Sequence, residues 1–258
     1  MLATRSKPLL LSFLSMTAIQ VANQTITADE IIPLLANYQI LAKLSRELFI
    51  DRAIESTSCT PTEKAQAIQQ FDRQNGLDSA SACNLWLRKH CITIEQKEAL
   101  AIRKFKIEKF KQATWETKVG AYFIRRKKQL DRVVFSIIQT KELELAQELY
   151  FRLLAGEESF SNLAKQYSQG AEALTGGFVS PTELGHLPST LAKILSTTQP
   201  GQIHPISYEG WQMIVRLEKL IPARLDRAMH RRLIDELFEL WLNRQLDRLP
   251  PIREEIFS

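Results

Sequence analysis

The sequence predicts an α+β fold: an all-helical N-terminal lobe, then an antiparallel sheet domain with covering helices, then a long C-terminal helix. Three observations carry this. Helical periodicity with capping signals runs from about residue 27 to residue 128. At Arg132 it gives way to a β-branched run, Val133-Val134-Phe135-Ser136-Ile137-Ile138. After Pro222 the apolar residues return to helical spacing.

In order, residues Ile19 to Ile26 read as two short strand pieces around an Asn-Gln turn. Thr27 with Glu30 three positions on is a capping box. The helix it opens carries Ile31, Ile32, Leu35, Tyr38, Ile40, Leu41, Leu44 and Leu48, which together give a broad face expected to be buried. Pro61 suits a first helical position, and Asn75-Gly76 stops the helix it starts. Ser79 opens the next helix, and Thr93 with Glu95 a long one through Phe110. Thr114 to Lys128 continues as helix, with Trp115, Val119, Tyr122 and Phe123 pointing inward. Beyond the Val133 strand come a helix from about Glu142 to Leu154 and a short helix from Phe160 to Tyr167. A Gly176-Gly177 turn then leads into a strand at Phe178-Val179. A helix starts near Ser189, and Gln199-Pro200-Gly201-Gln202 is a turn. Ile203 to Ile206 and Gly210 to Leu217 form a strand pair, and Met229 to Leu246 a long amphipathic helix. The boundaries drawn are a variable leader at 1–18, a helical lobe at 19–130, a sheet domain at 131–222 and a C-terminal helix within 223–258 that packs back on the helical lobe.

Over 258 residues, 45% hydrophobic and 24% charged, the chain can bury a core. A net charge of +5 is mildly basic and gives weak attraction to acidic partners. Much of the excess lies in two runs, Arg103 to Lys111 and Arg125 to Lys128. No groove-reading motif or aromatic platform accompanies them, so no nucleic-acid partner is expected. Cys59, Cys83 and Cys91 are odd in number and fit no zinc spacing, and the four histidines show no ligand pairing, so neither metal nor cofactor is expected. Free thiols and a short, serine-broken leader favour a cytoplasmic location, with export the minority reading. No segment reaches the roughly 18 consecutive apolar residues of a membrane span.

The stretch Phe160-Ser161-Asn162-Leu163-Ala164-Lys165-Gln166-Tyr167-Ser168, then Gly176-Gly177, then Pro200-Gly201-Gln202-Ile203-His204-Pro205, resembles the parvulin (rotamase, PpiC-type) family of peptidyl-prolyl cis-trans isomerases over residues 131 to 222. Val21-Ala22-Asn23-Gln24-Thr25-Ile26-Thr27 is similar to the start of the SurA- and PrsA-type foldases, which precedes a helical chaperone lobe. The resemblance implies a protein-folding factor that binds proline-containing peptides or unfolded segments. The alternative is a non-catalytic escort, serving for instance a secretion system.

The resemblance also implies where the site lies. The family's first-strand histidine falls on Ser136 and its last-strand histidine on Gln212; a hydrogen-bonded Ser136–Gln212 pair in their place is the expected catalytic element. A cysteine or aspartate of the family falls near Gly170, and an aspartate on Phe178. Leu187 and Leu191 match the two residues that grip the proline ring, Val179 a third wall, and Phe178 and Trp211 flank them. Read from composition alone, Ser136 is first a satisfied strand-core hydroxyl, Gln212 is equally structural or catalytic, and Leu187 and Leu191 are ordinary core. The chemistry tolerates lost polar groups. X-Pro rotation must break amide resonance, and an apolar pocket that favours the twisted amide lowers that barrier by differential binding.

Overall fold

A computed structural model describes residues 18–21 and 24–249. Residues 1–17 of the leader, Ala22 and Asn23 at the expected Asn-Gln turn, and the residues beyond 249 lie outside the described residues. The chain divides into two compact units, residues 1–113 with 239–258, and residues 114–238.

The first unit opens with a hairpin, β1 (Ala18–Val21) and β2 (Gln24–Thr27), paired antiparallel. It continues through α1 (Ala28–Asn37), α2 (Ile40–Ile54), α3 (Pro61–Gln74) and α4 (Ala80–His90) into α5 (Ile94–Trp115). The capping signals act as the sequence predicts. Thr27 N–H donates to Glu30 at 2.8 Å, and Thr60 Oγ1 accepts from Glu63 N–H with Pro61 at the first helical position. Ser79 Oγ accepts from Ala82 N–H. Thr93 caps α5, but its reciprocal partner is Gln96 rather than Glu95. Phe71, Leu77 and Ala101 form a small core with Trp86 edge-on to Phe71 at 5.5 Å. Trp241 lies between Phe49 and Phe110 at 5.7 and 5.6 Å. Lys97, 3% exposed, is held by Asp72 at 2.7 Å.

The continuous helix with a buried apolar face expected after Thr27 is not what forms. Residues 28–54 are two helices, broken where Gln39 takes the left-handed conformation at φ 59°. The broad apolar face is not buried: Ile32, Tyr38, Ile40, Leu44 and Leu48 are 40–69% exposed. The reason is angular. Apolar residues are spread around more of the circumference than one contact face covers, and α2 turns Ile50 and Ile54 inward instead, each 4% exposed.

The second unit contains α6 (Val119–Leu130), β3 (Arg132–Thr140), α7 (Leu143–Ala155), α8 (Phe160–Tyr167), β4 (Phe178–Glu183), α9 (Ser189–Thr197), β5 (Ile203–Tyr208) and β6 (Trp211–Ile221). The sheet order is β4-β3-β6-β5, antiparallel throughout. β4 runs four residues beyond the two-residue strand read from sequence, and includes Pro181. Proline is tolerated because β4 and β5, which holds Pro205, are the two edges. Glu209 and Gly210 both have positive φ, the geometry of the tight hairpin joining β5 to β6.

Strand alternation sorts the side chains onto two faces. One face packs Phe135, Ile137, Ile206, Met213, Val215 and Leu217 against Leu191 and Leu195 of α9. The other packs Ile138 and Ile214 against Leu149, Leu153, Phe160 and Leu163 of α7 and α8. α10 (Arg227–Leu246) closes the chain; in this unit its Leu233 and Ile234 pack on Val119, Tyr122 and Leu130.

Candidate functional site

The site begins with the loop ahead of α9. Leu187 holds an extended backbone immediately before Pro188, and α9 then presents Leu191 and Leu195 one turn apart to the sheet. Leu191 is buried, while Val179, Leu187, Tyr208 and Trp211 are half-buried against the same cluster. Four of the five substrate-binding residues expected from sequence, Val179, Leu187, Leu191 and Trp211, therefore lie together on the α9 face. Lys141 Nζ stands 5.1 Å from the centre of the Trp211 ring, a cation–π contact that orients the indole.

Phe178 is placed differently. It pairs with Ser136 across β3–β4, whereas Val179 pairs with Phe135, so Phe178 belongs to the opposite face and is 49% exposed.

The expected Ser136–Gln212 hydrogen bond is not formed. Gln212 lies opposite Thr140 in the β3–β6 register, four residues along the strand from Ser136, a separation of about 13 Å. Each side chain has another partner. Ser136 Oγ donates to Glu218 at 2.6 Å, and Ser207 Oγ donates to Gln212 at 2.5 Å. A bulge explains the first contact. Val134 pairs with Lys219 but Phe135 with Leu217, which leaves Glu218 as the extra residue. Its carboxylate also takes the Arg216 guanidinium at 2.8 Å, and Arg216 lies 4.9 Å from the Phe160 ring centre. Ser136, Glu218 and Arg216 thus form a polar cluster on the α8 face, with the sheet between them and Leu191.

The Gly176-Gly177 turn is set by α8. A side chain at Gly176 would begin 2.1 Å from Ser161 Oγ, and one at Gly177 2.6 Å from the Ile137 carbonyl oxygen. Gly177 has φ +82°, open to glycine and strained for other residues.

Sequence reasoning passed over His204. On β5 it faces the same side as Ile206 and Tyr208, the α9 side, and its Nε2 is buried without a hydrogen-bond partner among the described residues. Glu218 and Arg216 were also missed. The signal for His204 was present in its position within the strand after Pro200-Gly201; nothing local in sequence marks a bulge.

No group of histidine, cysteine or acidic residues suited to a metal ion occurs among the described residues. Within the site, hydrogen bonding with Glu209 raises the Tyr208 phenol above its ordinary value; a second displacement is that of Glu183 at the end of β4. Its two hydrogen bonds from Arg232, one of them at 2.9 Å, hold the carboxyl below its ordinary value against the opposing effect of burial.

The family model for the PPIC-type PPIase domain, rotamase, matches residues 138–219. This segment is a parvulin-type rotamase domain. Chaperone SurA of Cupriavidus pinatubonensis is 36% identical over 67 residues, 26% of this chain and 13% of that protein. The chain therefore spans about an eighth of the length of that curated relative. Two peptidylprolyl isomerase (PrsA) structures extend the likeness beyond the rotamase domain. That from Bacillus anthracis superposes with a TM-score of 0.50 at 17% identity, over 83% of this chain and 100% of the other. That from Bacillus cereus has the same score and identity over 93% of each. At such identity the likeness is one of fold, and it takes in helical segments on both sides of the rotamase domain. No helix among the described residues is long and apolar enough to cross a membrane. Neither the fold nor these relatives supports the cytoplasmic location expected from the cysteines.

Proposed function

We propose that the chain is a protein-folding factor whose rotamase domain takes X-Pro segments of unfolded protein into the cup of Val179, Leu187, Leu191 and Trp211. The observation that carries this is the gathering of those four apolar side chains on one face of the sheet, at the start of α9. A prolyl ring is a rigid apolar ligand, and a concave aliphatic surface recognises such a ring with few polar contacts. Catalysis at this cup is weak. The hydroxyl of Ser136 and the amide of Gln212 are engaged by Glu218 and Ser207, so rate enhancement rests on desolvation of the twisting amide.

A second reading, escort without isomerisation, is favoured by the engagement of Ser136 and Gln212, the expected catalytic pair, with Glu218 and Ser207. A proline-peptide assay separates the two. Isomerisation above the uncatalysed rate, reduced by Leu187→Ala, supports the foldase. Binding of the proline peptide that Leu187→Ala weakens, with no isomerisation above background, supports the escort. Binding that Leu187→Ala leaves unchanged removes the cup from both.

A further inference from the structure

The first unit contains an open groove of about 890 Å3, walled by the end of α2, the loop at 55–60, the start of α3 and the middle of α5. Its charges are unequal. On α5 most cations of the basic run have partners: Arg103 is held by Asp51 and Glu47, Lys109 by Glu63, Lys111 by Glu108, and the Lys104 ammonium lies over the Phe71 ring. Lys106 lines the groove and has no ion pair among the described residues; the same holds for Lys64 and Arg52 on the other walls. Among the lining acids Asp51 is engaged by Arg103, which leaves Glu55. Three unengaged cations against one unengaged anion is an excess of two. Beneath them Ile54, 4% exposed, and the half-buried Ile102 give an apolar floor.

We infer that this groove is a second peptide-binding site, for extended segments in which acidic and apolar residues alternate. The argument is complementarity. Successive side chains of an extended chain point to opposite sides, so alternation sets carboxylates against Lys64, Lys106 and Arg52 and apolar side chains against Ile54 and Ile102. A cationic concavity with a low-dielectric wall concentrates its field and attracts anions more strongly than a flat lysine face does. Nucleic acid fits less well, because no aromatic side chain lines the groove to stack on a base. This site stands apart from the prolyl cup in residues and in chemistry, so either can fail without the other.

Cys59 lines the groove, while Cys91 is exposed outside it, which gives a reporter and an internal control. The full chain is alkylated with iodoacetamide, and each cysteine is followed by mass spectrometry. The competitor is a peptide of about eight residues alternating glutamate and leucine, about 26 Å long when extended; a lysine–leucine counterpart and an oligothymidine are run in parallel. The glutamate peptide is expected to slow alkylation of Cys59 several-fold and leave Cys91 unchanged. In fluorescence anisotropy its affinity falls about tenfold in Lys64→Glu/Lys106→Glu, a loss of about 1.4 kcal/mol. Lys128→Glu, exposed and outside the groove, leaves it unchanged, as does Leu187→Ala. Equal protection of Cys59 by the lysine peptide, no protection by the glutamate peptide, tighter binding of the oligothymidine at the same residues, or indifference to the double reversal overturns the inference.

Discussion

One extra residue in β6 decides what Ser136 can do. The bulge at Glu218 turns a carboxylate under the Ser136 hydroxyl, and Arg216 neutralises it. The cluster satisfies itself, as buried polar groups must, and lies across the sheet from the prolyl cup. Ser136→Ala is therefore expected to cost about 1 kcal/mol of stability in urea denaturation and to leave prolyl-peptide binding as it was. Leu191→Ala acts on the cup itself; at 8% exposure it should cost about 2–4 kcal/mol and weaken peptide binding with it. Glu183 offers a test in pH. Its carboxyl is held below the ordinary 4.5 by Arg232, so the folded state binds protons less readily than the unfolded chain. The stabilisation is complete above about pH 5 and is lost as pH falls through the depressed folded value. Glu183→Gln should lower stability by about 1 kcal/mol at neutral pH, and the gap from the parent should close as pH drops below 4.5 in thermal melts. Of the site, the aliphatic wall was legible only through the family resemblance, since composition alone makes Leu187 and Leu191 ordinary core. The bulge was not: register depends on a partner strand some eighty positions away, which no local pattern records.

Among the elements, those with caps and glycine stops were read from sequence to within a few residues, since a cap is a contact between neighbours in the chain. Thr60 and Ser79 show it. What sequence did not reveal is which side of α2 meets the core. Apolar count suggested burial of Leu44 and Leu48, yet only the packing of Ile50 and Ile54 settles the rotation of the helix. The contrast is measurable. Leu48→Ser on the exposed side is expected to shift stability by no more than about 0.5 kcal/mol, against about 2–4 kcal/mol for Ile54→Ala. The Gly-Gly turn is the reverse case, a motif whose reason is tertiary. β3 and α8 approach so closely that a side chain at Gly177 meets the Ile137 carbonyl of β3 and the Ala164 and Phe160 side chains of α8. Gly177→Ala should cost about 2 kcal/mol through strain and forced displacement. Because the turn feeds Phe178 and Val179 into β4, the same variant should weaken proline-peptide binding more than its stability loss explains.

Across the whole molecule, α10 takes part in both compact units, and this continuity can be tested at one residue. Leu233 and Ile234 are core of the second unit; in the first, Leu242 is fully buried and the half-buried Trp241 lies against Phe49 and Phe110, and Glu239 stands at the division. Two substitutions there separate a side-chain contribution from a backbone one. Glu239→Ala removes the ion pair with Arg46 at 2.7 Å, an exposed contact worth about 0.2–1 kcal/mol. Glu239→Pro removes an interior helical hydrogen bond and sets its ring against the preceding turn, at about 3 kcal/mol or more. A helix whose two halves were independently anchored would absorb the proline as a kink, with Trp241 and Leu233 still in place. A helix that both cores need as one piece would lose packing on either side of the break. The second outcome is expected: near-ultraviolet circular dichroism should report changed surroundings for Trp241 in the first unit and for Tyr122 in the second, while Glu239→Ala leaves both spectra unaltered.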